Sequence, residues 1–407
     1  MARTNVVIPK EWQSATLSSI AELEMGQSPS SDSYNQDGVG VPFFQGKADF
    51  SKTGGVVVRQ WTSAPIKMSE SGDILLSVRA PVGDIALNDR KACIGRGLAA
   101  LRAKPGVVNQ AFLFQIIKSM KESLNAMAQG STFTAINGPA LRNMPAVLPP
   151  IVEQKKIAEI LGAVDEEIQK TDEIIAATEK LKSGLMQQLF TRGIGHTKFK
   201  ETDIGEIPAT WQVVSLHESS DKIVVGFVGV CEPYYTDSSG IPMLRTGNLK
   251  DWGIDFNEMK CVTSDFHKKN VKSQLKPGDI LIARHGYSGL ACIVPNELIE
   301  ANCLNVVIIR ANQSMVNPQF LYYAINSPLS SRQMHSKVGG STQKVVNTSD
   351  IKLVKIGIPG KTEQNKIVEI LSLVDEKISI NKKLKAKLIL LKKGLMQDLL
   401  SGKVRTL

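Results

Sequence analysis

The sequence predicts two mixed α/β domains in tandem. Each is followed by a long helix, and the two helices pair as an antiparallel coiled coil around a pseudo-twofold axis. Three observations carry this prediction. An internal repeat recurs at a shift of 210 residues, and its repeated segments bear apolar stripes at helical spacing. The remaining regions hold short β-branched runs bounded by Gly, Pro or Asp.

The repeat is strongest where Glu153-Gln154-Lys155-Lys156-Ile157 recurs as Glu363-Gln364-Asn365-Lys366-Ile367. Aligned without gaps, residues 153–189 and 363–399 share 19 identities in 37 positions, ending in Gly184-Leu185-Met186-Gln187 and Gly394-Leu395-Met396-Gln397. Chance does not give that. Upstream the copies stay in step with small gaps: Ile8-Pro9 and Trp12 match Ile207-Pro208 and Trp211. Gly72-Asp73-Ile74-Leu75 matches Gly278-Asp279-Ile280-Leu281, Asn109 matches Asn317, and Gly130-Ser131-Thr132 matches Gly340-Ser341-Thr342. The chain divides accordingly into a first variable domain (1–148), a first shared helical region (149–192), a polar, glycine-containing linker (193–204), a second variable domain (205–358), and a second shared helical region with a tail (359–407).

The shared regions read as helices. Ile157, Leu161, Val164, Ile168, Thr171, Ile175, Thr178, Leu181 and Leu185 step by threes and fours, as do Ile367, Leu371, Val374, Ile378, Asn381, Leu384, Leu388, Leu391 and Leu395. Of these, Ile157, Leu161, Val164, Ile168, Ile175, Leu185, Ile367, Leu371, Val374, Ile378, Leu388 and Leu395 predict the seam between the helices, with Thr171 and Asn381 as a polar layer that can fix register. Pro149-Pro150 and Pro359-Gly360 block backward extension, so each helix starts near its Glu-Gln pair. Residues 153–189 carry eight acids and five bases, net −3, whereas residues 363–399 carry five acids and eight bases, net +3. Helices of common origin and opposite sign suit each other as partners. At ~1.5 Å per residue each would run roughly 55 Å.

In the variable regions, Val56-Val57-Val58, Ile74-Leu75-Leu76-Ser77-Val78, Ile280-Leu281-Ile282 and Val306-Val307-Ile308-Ile309 predict strands. Gln110–Met127 and Gln319–Met334 predict amphipathic helices.

Composition sets the function classes. Of 407 residues, 42% are hydrophobic and 22% charged, as in a folded soluble chain. The longest apolar run, Ile223 to Cys231, is far short of a membrane helix, and the first twelve residues do not resemble a signal peptide. Five scattered cysteines form no CxxC pair, so neither a disulfide framework nor a zinc site is indicated, and a reducing cytoplasm is the expected compartment. The net charge of +10 points weakly to a polyanionic partner.

Catalytic motifs are absent. Gly46-Lys47 lacks the first glycine and the Ser/Thr of a phosphate-binding loop, and no GxGxxG links a strand to a helix. Pro149-Pro150 lacks the preceding Asn/Asp and following aromatic of an adenine-methylase motif. The five histidines show no metal spacing, and Gly72-Asp73 and Gly278-Asp279 read as turns before buried strands rather than as nuclease motifs. No catalytic residue, metal or cofactor is assigned to this chain.

The candidates for function are polar loop tips that occur in both copies. These are Gln45 and Lys47 against Arg245, Thr246 and Asn248; Arg79 against Arg284, His285 and Tyr287; and Ser131, Thr132 and Thr134 against Ser341, Thr342, Gln343 and Lys344. Arg and Lys can address guanine or phosphate, and Gln and Asn can address adenine. Together they predict contacts to double-stranded DNA.

The Ile-Pro-x-x-Trp openings, the Gly-Asp-Ile-Leu strands, the Pro-x-x-x-Glu-Gln-x-x-Ile helix starts and the Gly-Leu-Met-Gln helix ends, in this order over essentially the whole chain, resemble the specificity subunits of type I restriction-modification systems. The resemblance implies two target-recognition domains on a pair of long helices, a non-catalytic chain, and assembly with two modification subunits that methylate adenine and with restriction subunits that use ATP. S-adenosylmethionine, ATP and Mg would then sit on those partners. Each domain would read one half of a split, asymmetric site, with the helix pair as spacer. A helix of roughly 55 Å spans at most about 16 base pairs at ~3.4 Å each. A stand-alone DNA-binding regulator and a coiled-coil adaptor without enzyme partners are the competing readings.

Overall fold

The structure is a computed structural model that describes residues 9–51, 53–129, 135–284, 291–337 and 347–406. The expected fold class holds. The chain forms two compact units, Met1–Glu173 with Lys382–Leu407, and Ile174–Asn381. Helix α1 is Ile151–Thr191 and helix α2 is Lys361–Leu400. Each unit therefore holds one variable domain, the first part of that domain's own helix and the last part of the other. The helices run 41 and 40 residues, longer than the repeat alone suggested. They begin directly behind Pro149-Pro150 and Pro359-Gly360, because proline and glycine there end the preceding strand without penalising a helix that starts after them.

In the first unit a four-stranded antiparallel sheet has the order Ala21–Met25, Leu98–Ala103, Ile74–Ser77, Ile85–Leu87. A mixed five-stranded sheet lies beside it, in the order Tyr34–Asn35, Trp61–Thr62, Val41–Phe44, Ala92–Ile94, Met68–Ser69. The Ile-Leu-Leu run is buried on both faces, which explains why it is continuously apolar. Ile74 and Leu76 face a core with Phe112, Leu113, Ile157, Leu161 and Leu399, while Leu75 faces Phe44, Ile94 and Ala100. The second unit repeats the plan: Ile280 and Ile282 join Phe320, Leu189, Phe190, Ile367 and Leu371, and Leu281 faces Leu244, Cys303 and Ile308. Its sheets are Ser220–Val225, Val306–Ala311, Ile280–Ala283, Ala291–Ile293, and Tyr235–Thr236, Lys260–Val262, Ile241–Arg245, Ala301–Leu304, Gln274–Leu275.

Several local expectations change. Val56-Val57-Val58 is not a strand; only Val56 bridges to Phe50, because the backbone there wraps the Asp49 turn and Val57 donates to the Asp49 carbonyl. The 110–127 helix is two helices, Gln110–Ser119 and Lys121–Gln129, divided at Met120. Its counterpart divides into Pro318–Ile325 and Pro328–Lys337, where Pro328 has no N–H to continue the ladder. Residues 193–204 are not simply a linker, since Phe199–Thr202 pairs with Gly205–Pro208. That tight ribbon needs the left-handed backbone of Gly205, φ 98°, closed by the Thr202 hydroxyl donating to the Gly205 carbonyl.

The predicted seam residues Ile157, Leu161, Ile175, Ile367, Leu371 and Ile378 are buried, and Val164, Ile168, Leu185, Val374, Leu388 and Leu395 are half-buried. Leu181, Leu384 and Leu391, on the same apolar stripes but outside the predicted seam, are about half exposed, at 55%, 45% and 52%. The reason is periodicity: a straight helix repeats at 3.6, so after Thr178, Asn381 and Leu388 the buried face falls on Lys182, Lys385 and Lys392. These lysines pair across the helices. In the first unit Lys392 pairs with Asp165 and Lys385 with Asp172; in the second, Lys182 reaches Asp375 at 2.7 Å. In the first unit the numbers rise on one helix as they fall on the other, so the helix segments there pair antiparallel. Burial and the neighbouring Lys118 push the Lys392 ammonium down to about 8, against the pull of Asp165. The Thr171 hydroxyl and the Asn381 amide each donate to the carbonyl four residues back in their own helix.

Three repeated motifs prove to be structural. The Trp12 indole donates to Glu153 at 3.0 Å, and Arg405 adds a bidentate pair at 2.8 and 3.0 Å. In the second unit the Trp211 indole donates to Glu363 at 3.2 Å, with His196 Nε2 2.9 and 3.0 Å from the two oxygens. Gln154 accepts from the Asn109 amide and donates to the Val107 and Pro149 carbonyls; Gln364 does the same with Asn317, Met315 and Pro359. The carboxylates of Asp73 and Asp279 take bidentate bonds from Arg102 and Arg310 across the sheet.

Two measurements follow from these nodes. The Asp279 side chain is 1% exposed and its Arg310 partner 24%, whereas Arg102, beside Asp73, is 45% exposed. Asp279→Ala is expected to lower urea stability by about 3–5 kcal/mol and Asp73→Ala by less, because Arg102 regains water. Burial pushes the Glu153 carboxyl up, but Arg405, the Thr406 amide and the Trp12 indole together outweigh it and hold the carboxyl below its ordinary value. Its contribution is therefore complete above the unfolded value of ~4.3 and is lost as pH falls through the lower native one. Glu153→Gln is expected to cost about 2 kcal/mol at neutral pH, and the gap to wild type is expected to close in melts taken below about pH 4.

Candidate nucleic-acid interface

In each domain the two sheets are joined by one continuous segment of chain, and the candidate tips gather around it. In the first domain Val41–Phe44 runs parallel to Ala92–Ile94, with Phe43 opposite Cys93 and Phe44 opposite Ile94. The chain then crosses through Gly95-Arg96-Gly97 into Leu98–Ala103 of the other sheet. Gly97 is confined there: a Cβ would sit 2.4 Å from the Gln45 carbonyl oxygen, and the Val78 N–H donates to the Gly97 carbonyl at 2.9 Å. Only glycine lets the three tips, 45–47, 78–79 and 95–97, approach so closely.

Gln45, Lys47 and Arg79 are all exposed at this convergence. The Gln45 N–H is held by the Asp49 carboxylate at 2.7 Å, which closes a short 3-10 turn over Lys47–Asp49. Lys47 and Lys121 each reach Asp84 at 2.6 Å. Burial raises the Asp84 carboxyl, yet these two ammonium groups outweigh it and keep the carboxyl low. Arg79 bridges backbone to backbone with Ala135, which ties that end of the preceding loop to the same place. Ser131, Thr132 and Thr134 lie outside the described residues. Arg96, exposed between two glycines, joins the group although sequence reasoning passed over it. Its signal was a lone basic residue in a Gly-x-Gly turn directly after a strand.

The second domain builds the same crossing from different residues. Arg245 ends the strand opposite Leu304, and Ala283, which precedes Arg284, lies opposite Val306. Between Leu304 and Val306 the chain turns on Asn305 in the left-handed region, φ 54°. The Thr246 hydroxyl donates to the Asn305 carbonyl at 3.4 Å. Asn248 is buried and committed to the turn: its Oδ1 accepts from the Arg245 N–H at 3.0 Å and its Nδ2 donates to the Asp255 carbonyl at 3.0 Å. It stands where Asp49 stands in the first domain, so its contribution is to shape the tip. Arg245 and Arg284 each bury an Nε that has no hydrogen-bond partner. His285, Tyr287, Ser341, Thr342, Gln343 and Lys344 lie outside the described residues.

The arrangement is suited to binding a polyanion or base edges. Among the described residues no group of His, Cys, Asp and Glu could hold a metal. Burial pushes Cys292 up to about 11 and Cys303 to about 12, which leaves both as neutral thiols.

A family profile described as the type I restriction modification DNA specificity domain matches residues 9–179 and again 208–389. The type I restriction enzyme MjaVIII specificity subunit of Methanocaldococcus jannaschii is 26% identical, over 98% of this chain and 94% of that protein. The putative MjaX specificity subunit of the same organism is 39% identical over 45% of this chain and 44% of its own length. A type I restriction-modification S subunit from M. genitalium shares the fold with a TM-score of 0.62 at 18% identity, covering 98% of both chains.

Proposed function

The chain belongs to the type I restriction-modification DNA specificity family, and from that premise we propose that it is the sequence-reading subunit of a type I complex on double-stranded DNA. The observation that carries the reading is the duplicated crossing. One scaffold appears twice, and its tips differ at equivalent places: Gln45 and Lys47 in one copy, Arg245 and Thr246 in the other. Two unlike reading heads suit a site of two unlike halves. The helix pair serves as the spacer between them, in the way that dimer geometry fixes half-site separation elsewhere. Methylation of adenine, ATP-driven restriction and the attendant S-adenosylmethionine, ATP and Mg belong to the partners, two modification subunits and the restriction subunits.

The helices also supply a surface for those partners. In the first unit Leu384 and Leu391 stand exposed two turns apart on α2, at 45% and 52%. Apolar side chains so placed favour a helical partner and so favour the assembled complex over a stand-alone regulator. The net charge of about +4 in residues 1–152 and again in 190–362 is modest for DNA binding, which suits shared electrostatic contact with the partners.

Replacing residues 1–148 with the corresponding domain of another family member is expected to alter one half of the site in methylated-adenine sequencing and to leave the other half unchanged. A change in both halves would show that the domains do not read independently. Leu384→Lys with Leu391→Lys is expected to abolish co-purification of the modification subunit while the isolated chain keeps its melting profile. Retained co-purification would move the docking surface elsewhere.

A further inference from the structure

Gln45 and Arg245 occupy one slot in two copies of the scaffold. Each follows an inner strand at the point where that strand leaves its parallel neighbour, after Phe44 opposite Ile94 and after Leu244 opposite Cys303. Each has its backbone N–H fixed by the side chain that closes the next turn, Asp49 at 2.7 Å and Asn248 at 3.0 Å. The backbone is thus held the same way while the side chain differs in chemistry.

The unused hydrogen-bonding capacity of the two side chains also differs. The Gln45 amide donates one hydrogen to Gln60 Oε1 at 2.6 Å. That fixes the amide and leaves its second hydrogen and its Oε1, one donor beside one acceptor. Adenine presents the complement in the major groove, the N7 acceptor beside the N6 donor. Arg245 has no acceptor to offer. Its Nε is buried and unpartnered, and its Nη2 is only 3.5 Å from the Glu258 carbonyl. Arg284, on the strand end flanking the other side of the Leu304–Val306 turn, carries a second unpartnered Nε. The half-buried Arg310, by contrast, spends its Nε and Nη2 on the Asp279 carboxylate across its sheet. Buried donors without partners are rare in folded proteins, and a pair around one turn points to an acceptor brought by a ligand. Guanine O6 and N7 are two acceptors side by side.

We infer that this slot determines base identity in both domains, with Gln45 reading an adenine in one half-site and Arg245 a guanine in the other. The inference rests on the DNA-reading function proposed above and adds which residue reads which base. Arg284 lies in the place of Val78, so in these two slots the second domain presents an arginine pair where the first presents Gln45 and a buried valine. The two half-sites therefore differ at the base facing the slot because the side chains filling it differ.

The test is selection of bound duplexes from a randomised pool by the complex of the full chain with its modification subunit, for wild type, Gln45→Arg and Arg245→Gln. Gln45→Arg is expected to convert one adenine of one half-site to guanine, and Arg245→Gln one guanine of the other half-site to adenine, each by at least about tenfold in preference. The unaltered half-site reports in the same experiment that the complex is folded. Should either substitution prevent assembly, Gln45→Asn and Arg245→Lys replace it and are expected to relax discrimination at that one position. Affinity lost uniformly, with an unchanged consensus, would make the slot a phosphate contact or a structural position and overturn the inference. A wild-type complex that selects no split sequence would instead overturn the DNA-reading function itself.

Discussion

A carboxylate in the first turn of each long helix, held by an indole and buried in the case of Glu153, half-buried in that of Glu363, is the contact on which the rest of each unit depends. An ionised side chain out of water costs several kcal/mol unless every lone pair is met. Glu153 meets that demand from three directions: Trp12 at the start of the domain, the helix N-terminus to which it belongs, and Arg405 beyond the end of α2. Glu363 does so with Trp211 and His196. Residues separated by 141 and 252 positions in sequence are thereby fixed to one point. The helix must begin there, the domain must open there, and the other helix must end there. The sheets and their crossing are built outward from that constraint, with Gln154 and Gln364 fastening the neighbouring loop to the same helix turn.

Much of this was legible because duplication preserves what packing demands. The helix stripes, the Gly-Asp-Ile-Leu strands and the Asn109 and Asn317 caps appear in sequence as repeated residues, and they form the expected elements. What escaped depends on quantities no local pattern contains. Leu181, Leu384 and Leu391 lie on the apolar stripes, yet the drift of a 3.6 period put Lys182, Lys385 and Lys392 on the paired face, and distant aspartates make those positions tolerable. The ribbon at 199–208 escaped because four polar residues and a glycine look like a loop until a partner strand is known. At the candidate interface the tips could be paired between copies, but not ranked. Asn248 and Gln45 look alike in sequence, whereas one is buried in its turn and the other stands in solvent.

The two copies have diverged unevenly. The Asp–Arg bridges, the Gln clasps and the Trp–Glu contacts are kept almost atom for atom, within a few tenths of an ångström. The crossing between the sheets is three residues in one domain and Asn305 alone in the other, and the slots around it hold Gln45 and Val78 or Arg245 and Arg284. A rigid frame with exchangeable tips allows the recognised chemistry to change without refolding the domain. It also places variation where side chains meet solvent and constancy where they meet each other.

The composition of the units sets an order of events during synthesis. The second unit, Ile174–Asn381, is one unbroken stretch of chain and has all its parts once residue 381 has left the ribosome. The first unit needs Lys382–Leu407, made after the whole of the second, and its Glu153 has no guanidinium until Arg405 emerges. The domain translated first is thus the one completed last. Until then Glu153 has the Trp12 indole and its helix N-terminus but no counter-ion, and the apolar face that Leu399 will cover is bare, which exposes the unit to proteases and chaperones.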